Sequence, residues 1–123
     1  MQKYTVDEIC KIYEKSGTLM YYATLSGDYK TNNKEGSRLI NLYKLFEKDR
    51  AFGYQCIDKL LESHNVVVKT KAAAYCLALE YKTEYAISVL QEISSDPQNG
   101  IFGFNAEMTM KTWRKNGYLK IYL

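Results

Sequence analysis

Leu60-Leu61-Glu62-Ser63-His64-Asn65-Val66-Val67-Val68-Lys69, then Ala72-Ala73-Ala74-Tyr75-Cys76-Leu77-Ala78-Leu79, then Ala86-Ile87-Ser88-Val89-Leu90-Gln91-Glu92-Ile93: this stretch decides the fold. Val68, Ala72, Tyr75, Cys76 and Leu79 recur at three- and four-residue intervals, which gathers them into one apolar stripe on a helix. The polar turn Ser63-His64-Asn65 stands before it, and a second amphipathic helix follows. Short connections of this kind return the chain antiparallel to itself. Ala72, Ala73 and Ala74 are small enough to let a neighbouring helix approach closely.

Outward from this centre the same period continues, and about six helices are predicted. Thr5-Val6-Asp7-Glu8 reads as a capping box, in which hydroxyl and carboxylate satisfy each other's backbone N–H groups. A first helix over 6–25 follows, with Gly17 as a point of bending. Ser26-Gly27-Asp28 ends it and caps a second helix over 28–48, which Gly36 is able to split. Helix three spans 51–62, helix four 66–79, and helix five 83–93 with Thr83 as its cap. Ser94 to Gly100, with the chain's one proline at Pro97, breaks the pattern. Helix six spans 104–115 and closes at Asn116-Gly117. The tail from Tyr118 to Leu123 is expected as an extended cap on the last helix, because a lone strand has no ladder partner. The fold class is all-α, with antiparallel hairpins in a short α-solenoid.

A chain of 123 residues is one domain, spanning 1–123. Its 46% hydrophobic content is that of a folded chain rather than a disordered one. Of its 17 aromatic residues 12 are tyrosines, a residue suited both to thin cores and to binding surfaces. Lysine outnumbers arginine 14 to 3, which also fits an AT-rich genome and leaves the tyrosine content open to a compositional cause. The net charge of +3 is spread along the chain without a run of five like charges, unlike the dense basic stripe of a dedicated nucleic-acid binder. Cys10, Cys56 and Cys76 are odd in number, form no CxxC pair and fall on apolar stripes. They are expected as reduced, buried thiols in a reducing cytoplasm, with no structural metal and no cofactor. No apolar run approaches the ~20 residues of a membrane span.

The hairpin junction from Leu60-Leu61 to Leu79 resembles the helical repeats of the HEAT type. The resemblance extends to the long first helix ending at Gly27-Asp28 and to Gly100-Ile101-Phe102-Gly103-Phe104-Asn105-Ala106, and with these the chain looks like a small bacterial HEAT-like family of uncharacterised function. The turn Ser63-His64-Asn65 departs from the Pro or Asp usual in such repeats. What the resemblance implies is a binding surface rather than a catalytic cleft. In general shape the chain also resembles immunity proteins of bacterial contact-dependent inhibition and related toxin systems.

The chemistry-bearing residues point the same way. His64 is the only imidazole and sits in a turn, where a capping role is the simpler one. Gly100-Ile101-Phe102-Gly103 lacks the GK[ST] ending of a phosphate loop. Trp113 is expected in the core. Under the HEAT resemblance, helices three and five line the concave side. Lys59 against Asp58 and Glu62, together with Glu84 and Glu92, gives that side three surplus negative charges. Lys69, Lys71, Lys111, Arg114 and Lys115 against Glu107 give helices four and six four surplus positive charges. An acidic concave side suits a basic protein, such as a toxin domain, better than nucleic acid. Tyr54, Asp58, Glu62, Tyr85, Ser88 and Glu92 are therefore the candidate contact residues of a non-enzymatic, protein-binding, immunity-type module. The alternative is a nucleic-acid-binding helical repeat that uses the basic face.

Overall fold

Four of the six α-helices among the described residues begin where a short polar side chain accepts from free backbone N–H groups. In the computed structural model, which describes residues 3–123, the helices are α1 (Val6–Ser26), α2 (Tyr29–Lys48), α3 (Arg50–Leu60), α4 (Val66–Leu79), α5 (Thr83–Ser95) and α6 (Ile101–Asn116). A 3-10 turn, Pro97–Asn99, joins the last two, and no strand occurs among the described residues. Thr5 and Glu8 form the capping box: Glu8 N–H donates to Thr5 Oγ1 at 3.1 Å, and Thr5 N–H donates to Glu8 Oε1 at 2.8 Å. Asp28, Asp49 and Asn65 cap α2, α3 and α4 by the simpler one-way bond, each side chain accepting from a backbone N–H two or three residues on. Thr83 does not cap α5. The cap position is Lys82, in a left-handed conformation and without a side-chain hydrogen bond, and Thr83 is the first helical residue. α6 begins at Ile101, three residues before the predicted start, because Gly100 at φ 53° ends the turn there. The all-α class is as the periodicity predicts.

α4 is the centre of the packing. It touches α1, α3, α5 and α6, and Val68, Ala72, Ala73, Tyr75, Cys76, Leu77 and Leu79 are all buried. Against it lie Ile9 and Tyr13 of α1, Leu39, Tyr43 and Phe46 of α2, Cys56, Ile57 and Leu60 of α3, and Ala86 and Leu90 of α5. Trp113 is only half-buried, packed on the edge of this core. Two polar groups cross the interior. Tyr13 Oη lies 3.2 Å from the Leu39 carbonyl and 2.9 Å from Tyr75 Oη. Each phenol carries one proton, so Tyr75 donating to Tyr13 and Tyr13 donating to the carbonyl satisfies both. The Glu35 carboxylate, almost fully buried, accepts from Ser16 Oγ at 2.8 Å and pairs with Arg38 Nε at 3.2 Å.

Two glycines mark where helices cross closely. A Cβ on Gly17 would collide with Val68 Cγ2, so α1 lies directly on α4 there. One on Gly53 would come within 2.6 Å of Phe46 Cβ and 2.8 Å of its Cα, which fixes α3 against α2. Gly36 is different. α2 runs through it unbroken, and the nearest atom to an added Cβ is the Met20 methyl at 3.9 Å. The C-terminal tail is non-helical and lines a depression with Met108, Thr109 and Thr112 of α6, as expected, but its end is fixed on another helix. It folds back across α2, where Tyr122 Oη donates to Glu47 Oε1 at 2.5 Å and the Lys44 ammonium stands 4.7 Å from the Tyr122 ring.

The glycine geometry predicts opposite outcomes for one substitution. Gly36→Ala removes a helix-interior glycine without a clash and should stabilise by about 0.5–1 kcal/mol. Gly53→Ala must push backbone apart and should destabilise by about 1–3 kcal/mol. Chemical denaturation midpoints check both.

The thiols are free, but only two are buried. Burial pushes Cys56 and Cys76 up to about 12. Cys10 is half-buried, and its pKa is raised first by burial and then by the Asp7 charge. Thiolate is the reactive form. Maleimide labelling of the folded chain should therefore modify Cys10 slowly and leave Cys56 and Cys76 until the protein is unfolded.

Candidate functional site

The predicted contact residues on α3 are spaced by four. Tyr54, Asp58 and Glu62 therefore fall on one side of the helix and the turn that continues it. The connection between α4 and α5 then reaches across to them. Glu80 at φ 56° and Lys82 at φ 50° are both left-handed, which turns the chain sharply and swings Tyr81 onto α3. Non-glycine residues in that region cost of order 1–3 kcal/mol each, so surrounding contacts must hold them. Those contacts are present. The Tyr81 ring stacks on Tyr54 at 3.9 Å with the planes 2° apart. Tyr81 Oη donates to the Asp58 carboxylate at 2.8 and 3.0 Å, and Lys82 Nζ pairs with Asp58 Oδ1 at 2.9 Å. The Lys82 ammonium also lies 5.3 Å from the Tyr81 ring.

Protonation states follow from this arrangement. Burial, and then the hydrogen bond to Asp58, raise the pKa of the Tyr81 phenol above its usual range, so it stays a donor. The hydrogen bond to Asp58 holds the Lys82 ammonium above the usual lysine value, so it stays charged. The ion pair itself is exposed, and such pairs contribute little stability on their own.

The structure brings together four of the six predicted contact residues. Asp58, Glu62 and Tyr85 share a surface depression with Lys82 and Leu61. Tyr54 forms the aromatic edge beside Asp58. Asp7 of α1, with Gln55 and Lys59, lines an adjoining depression that also includes Asp58 and Glu62. Ser88 and Glu92 continue the exposed stripe of α5 beyond Tyr85, but neither lines these depressions. The Ser88 hydroxyl is turned back to the Tyr85 carbonyl at 2.6 Å.

Lys82 changes the charge reading. It lies one residue before α5 and so falls outside a charge count over the helix, yet it points at Asp58. Across the two depressions three carboxylates, Asp7, Asp58 and Glu62, face two ammonium groups, Lys59 and Lys82. The two depressions carry a surplus of one negative charge, and counting Lys82 with helices three and five lowers their surplus from three to two. Asp7, Tyr81 and Lys82 are the members that sequence reasoning missed. The i, i+4 register of α3 was visible, whereas a contact from the α4–α5 connection carries no periodic signal.

The basic residues do not form one face. Positions two apart on a helix point in directions about 200° apart, so Lys69 and Lys71 diverge. Lys71 lines a cleft floored by α4, Lys111 pairs with Glu107 at 3.3 Å, and Arg114 and Lys115 are exposed at the end of α6. His64 is exposed beside Tyr21 and Tyr22. Its neighbour Ser63 donates to the Glu14 carboxylate and accepts from the Asn65 N–H at 3.0 Å. No group of three or more His, Cys, Asp or Glu side chains among the described residues could hold a metal ion. No helix among them is long and apolar enough to cross a membrane. Comparison with protein-family models, with curated proteins and with solved structures gives no match.

The stack and the hydrogen bond around Tyr81 are separable. Tyr81→Phe keeps the stacked ring and loses only the hydroxyl, and should cost up to about 1 kcal/mol in a partly exposed site. Tyr81→Ala also loses the ring contact, itself about 0.5–1.5 kcal/mol beyond area burial, and should cost distinctly more. Equal losses in urea denaturation would show that the stack contributes nothing.

Proposed function

We propose that this protein is a non-enzymatic, protein-binding module whose contact surface is the α3–α5 side, with HEAT-like hairpins as its scaffold. The observation that carries the reading is the pre-organised cluster of Tyr54, Tyr81 and Asp58 beside the exposed ring of Tyr85. Binding energy at protein interfaces concentrates in a few rigid aromatic anchors surrounded by polar groups. Tyr54 and Tyr81 are already fixed by stacking, so a partner that covers them spends little ordering entropy on their rotamers. Tyr85, 53% exposed, supplies apolar area that the folded chain leaves unused. Glu62 and Asp7 at the rim favour a partner with a modest positive patch.

An immunity role fits this arrangement. Neutralising a toxin by covering it needs complementarity and no catalytic group, and a small surplus of acid suits a basic toxin domain. The scaffold suits it as well, because the cluster sits on helices and a tight turn rather than on a long loop.

The test is co-purification with the product of the neighbouring gene, using Tyr85→Ala and Glu62→Lys. Both side chains are exposed and bear on no internal hydrogen bond described above, so stability should move by no more than ~0.5 kcal/mol. A cut in affinity of roughly tenfold or more is the expected outcome for a central anchor such as Tyr85. Wild-type affinity in both variants, with loss in Lys111→Glu, would move the site to α6. Binding to nucleic acid that weakens steeply with salt would replace the protein reading altogether.

A further inference from the structure

One strip of α4 is left uncovered by the packing. Along it lie Val67, Thr70, Lys71 and Ala74, in a cleft of about 330 Å³ between α1 and α2 on one side and α6 on the other. Met20 and Phe102 form its apolar walls. Phe102 is fixed by stacking on Tyr21, with ring centroids 4.6 Å apart and planes within 9°, which ties α6 to α1 at the rim.

Three polar groups in this cleft lack partners. Asn32 Oδ1 and Thr70 Oγ1 are buried and make no hydrogen bond. The Asn32 amide is held in place from its other end, where Nδ2 donates to Thr24 Oγ1 at 3.1 Å. Lys71 is the one charged side chain on the lining, and it makes no ion pair or hydrogen bond among the described residues. Burial holds its pKa below the usual lysine value, as expected of an ammonium without a counter-charge. Buried polar atoms are nearly always satisfied, and buried charges are nearly always paired. Two buried exceptions beside an unpaired, partly exposed ammonium are a donor–acceptor pattern with its complement missing.

We propose that this cleft binds a small hydroxycarboxylic acid with an apolar body. The carboxylate pairs with Lys71 and accepts a hydrogen bond from the Thr70 hydroxyl. The hydroxyl of the ligand donates to Asn32 Oδ1. The apolar body lies against Met20, Val67 and Phe102. The charge balance selects this class. One ammonium neutralises one carboxylate, whereas a phosphate carries more negative charge than a single lysine offsets. No carboxylate lines the cleft, so the ammonium of an amino acid would be left unpaired beside Lys71. The volume suits roughly a dozen heavy atoms. This site is separate from the α3–α5 surface, and its test requires no protein partner.

The experiment is isothermal titration of the full chain with 3-phenyllactate and with 2-hydroxy-4-methylpentanoate. Controls are 3-phenylpropionate, which lacks the hydroxyl, phenyllactamide, which lacks the charge, and phenylalanine, which adds an ammonium. Saturable binding of at least one hydroxy acid is expected, with each control weaker by roughly tenfold. Lys71→Met should abolish the preference for acid over amide while raising the melting temperature of the free protein, because an unpaired charge is removed. Thr70→Val, close in shape, should weaken the acid without unfolding the chain. No saturation by either hydroxy acid at millimolar concentration would overturn the proposal and leave water as the occupant. So would equal affinity for acid and amide in the wild-type protein, or wild-type affinity in Lys71→Met.

Discussion

The phenol of Tyr13 sits at the meeting point of α1, α2 and α4 with no exposed surface. A buried hydroxyl without partners costs a large fraction of what a domain of this size has in net stability. Its two partners come from different helices, the Leu39 carbonyl on α2 and the Tyr75 hydroxyl on α4. A helix that slid by one residue would leave at least one of the three unsatisfied. The surrounding rings make the same demand in a different form. Phe46 lies 6.2 Å from Tyr13 and Tyr43 lies 4.6 Å from Tyr75, so the aromatic cluster accepts only one register. Burial raises the pKa of all three phenols, Tyr13, Tyr43 and Tyr75, above the usual tyrosine range. The folded chain thus holds these protons more tightly than the unfolded chain does. That part of its stability is intact below the unfolded tyrosine pKa of about 10 and is lost as the pH rises from there.

Local chemistry was legible in the sequence, and distant chemistry was not. Thr5 and Asp28 act on backbone groups three residues away, so their caps follow from the sequence alone, whereas the cap of α4 is Asn65 and not the neighbouring His64 to which the sequence reading gave that role. The apolar stripe of α4 follows from its period. Tyr13 and Tyr75 are 62 positions apart, and nothing local marks them as a pair. Gly17 reads as a bend because a glycine weakens a helix, yet its physical role is to admit Val68 of another helix. The tail was expected on α6, but the acceptor that fixes it is Glu47 of α2, 75 residues before Tyr122.

The surface residues divide in the same way. Tyr54, Asp58 and Glu62 share a face through simple helical spacing. Lys82 escapes any charge balance taken over helices because it lies just outside one, where no period governs its direction. Lys71 did carry a signal. It stands between Val67 and Ala74 on a helix that is apolar around most of its circumference, so a lysine there has a large desolvation cost. Such a residue is better read as the one charge in a cleft wall than as part of a basic face.

The left-handed pair Glu80 and Lys82 has a further consequence for how the chain comes apart. Their backbone conformation is held from within by the Glu80 and Tyr81 N–H groups, which donate to the Cys76 carbonyl, and from outside by Tyr81 stacked on Tyr54 and Lys82 drawn to Asp58, both on α3. The corner between α4 and α5 is thus latched from a third helix as well as from its own. Opening of α3 removes the outer latch and leaves the corner to its two backbone hydrogen bonds. Three helices are in this way tied together through a connection only three residues long.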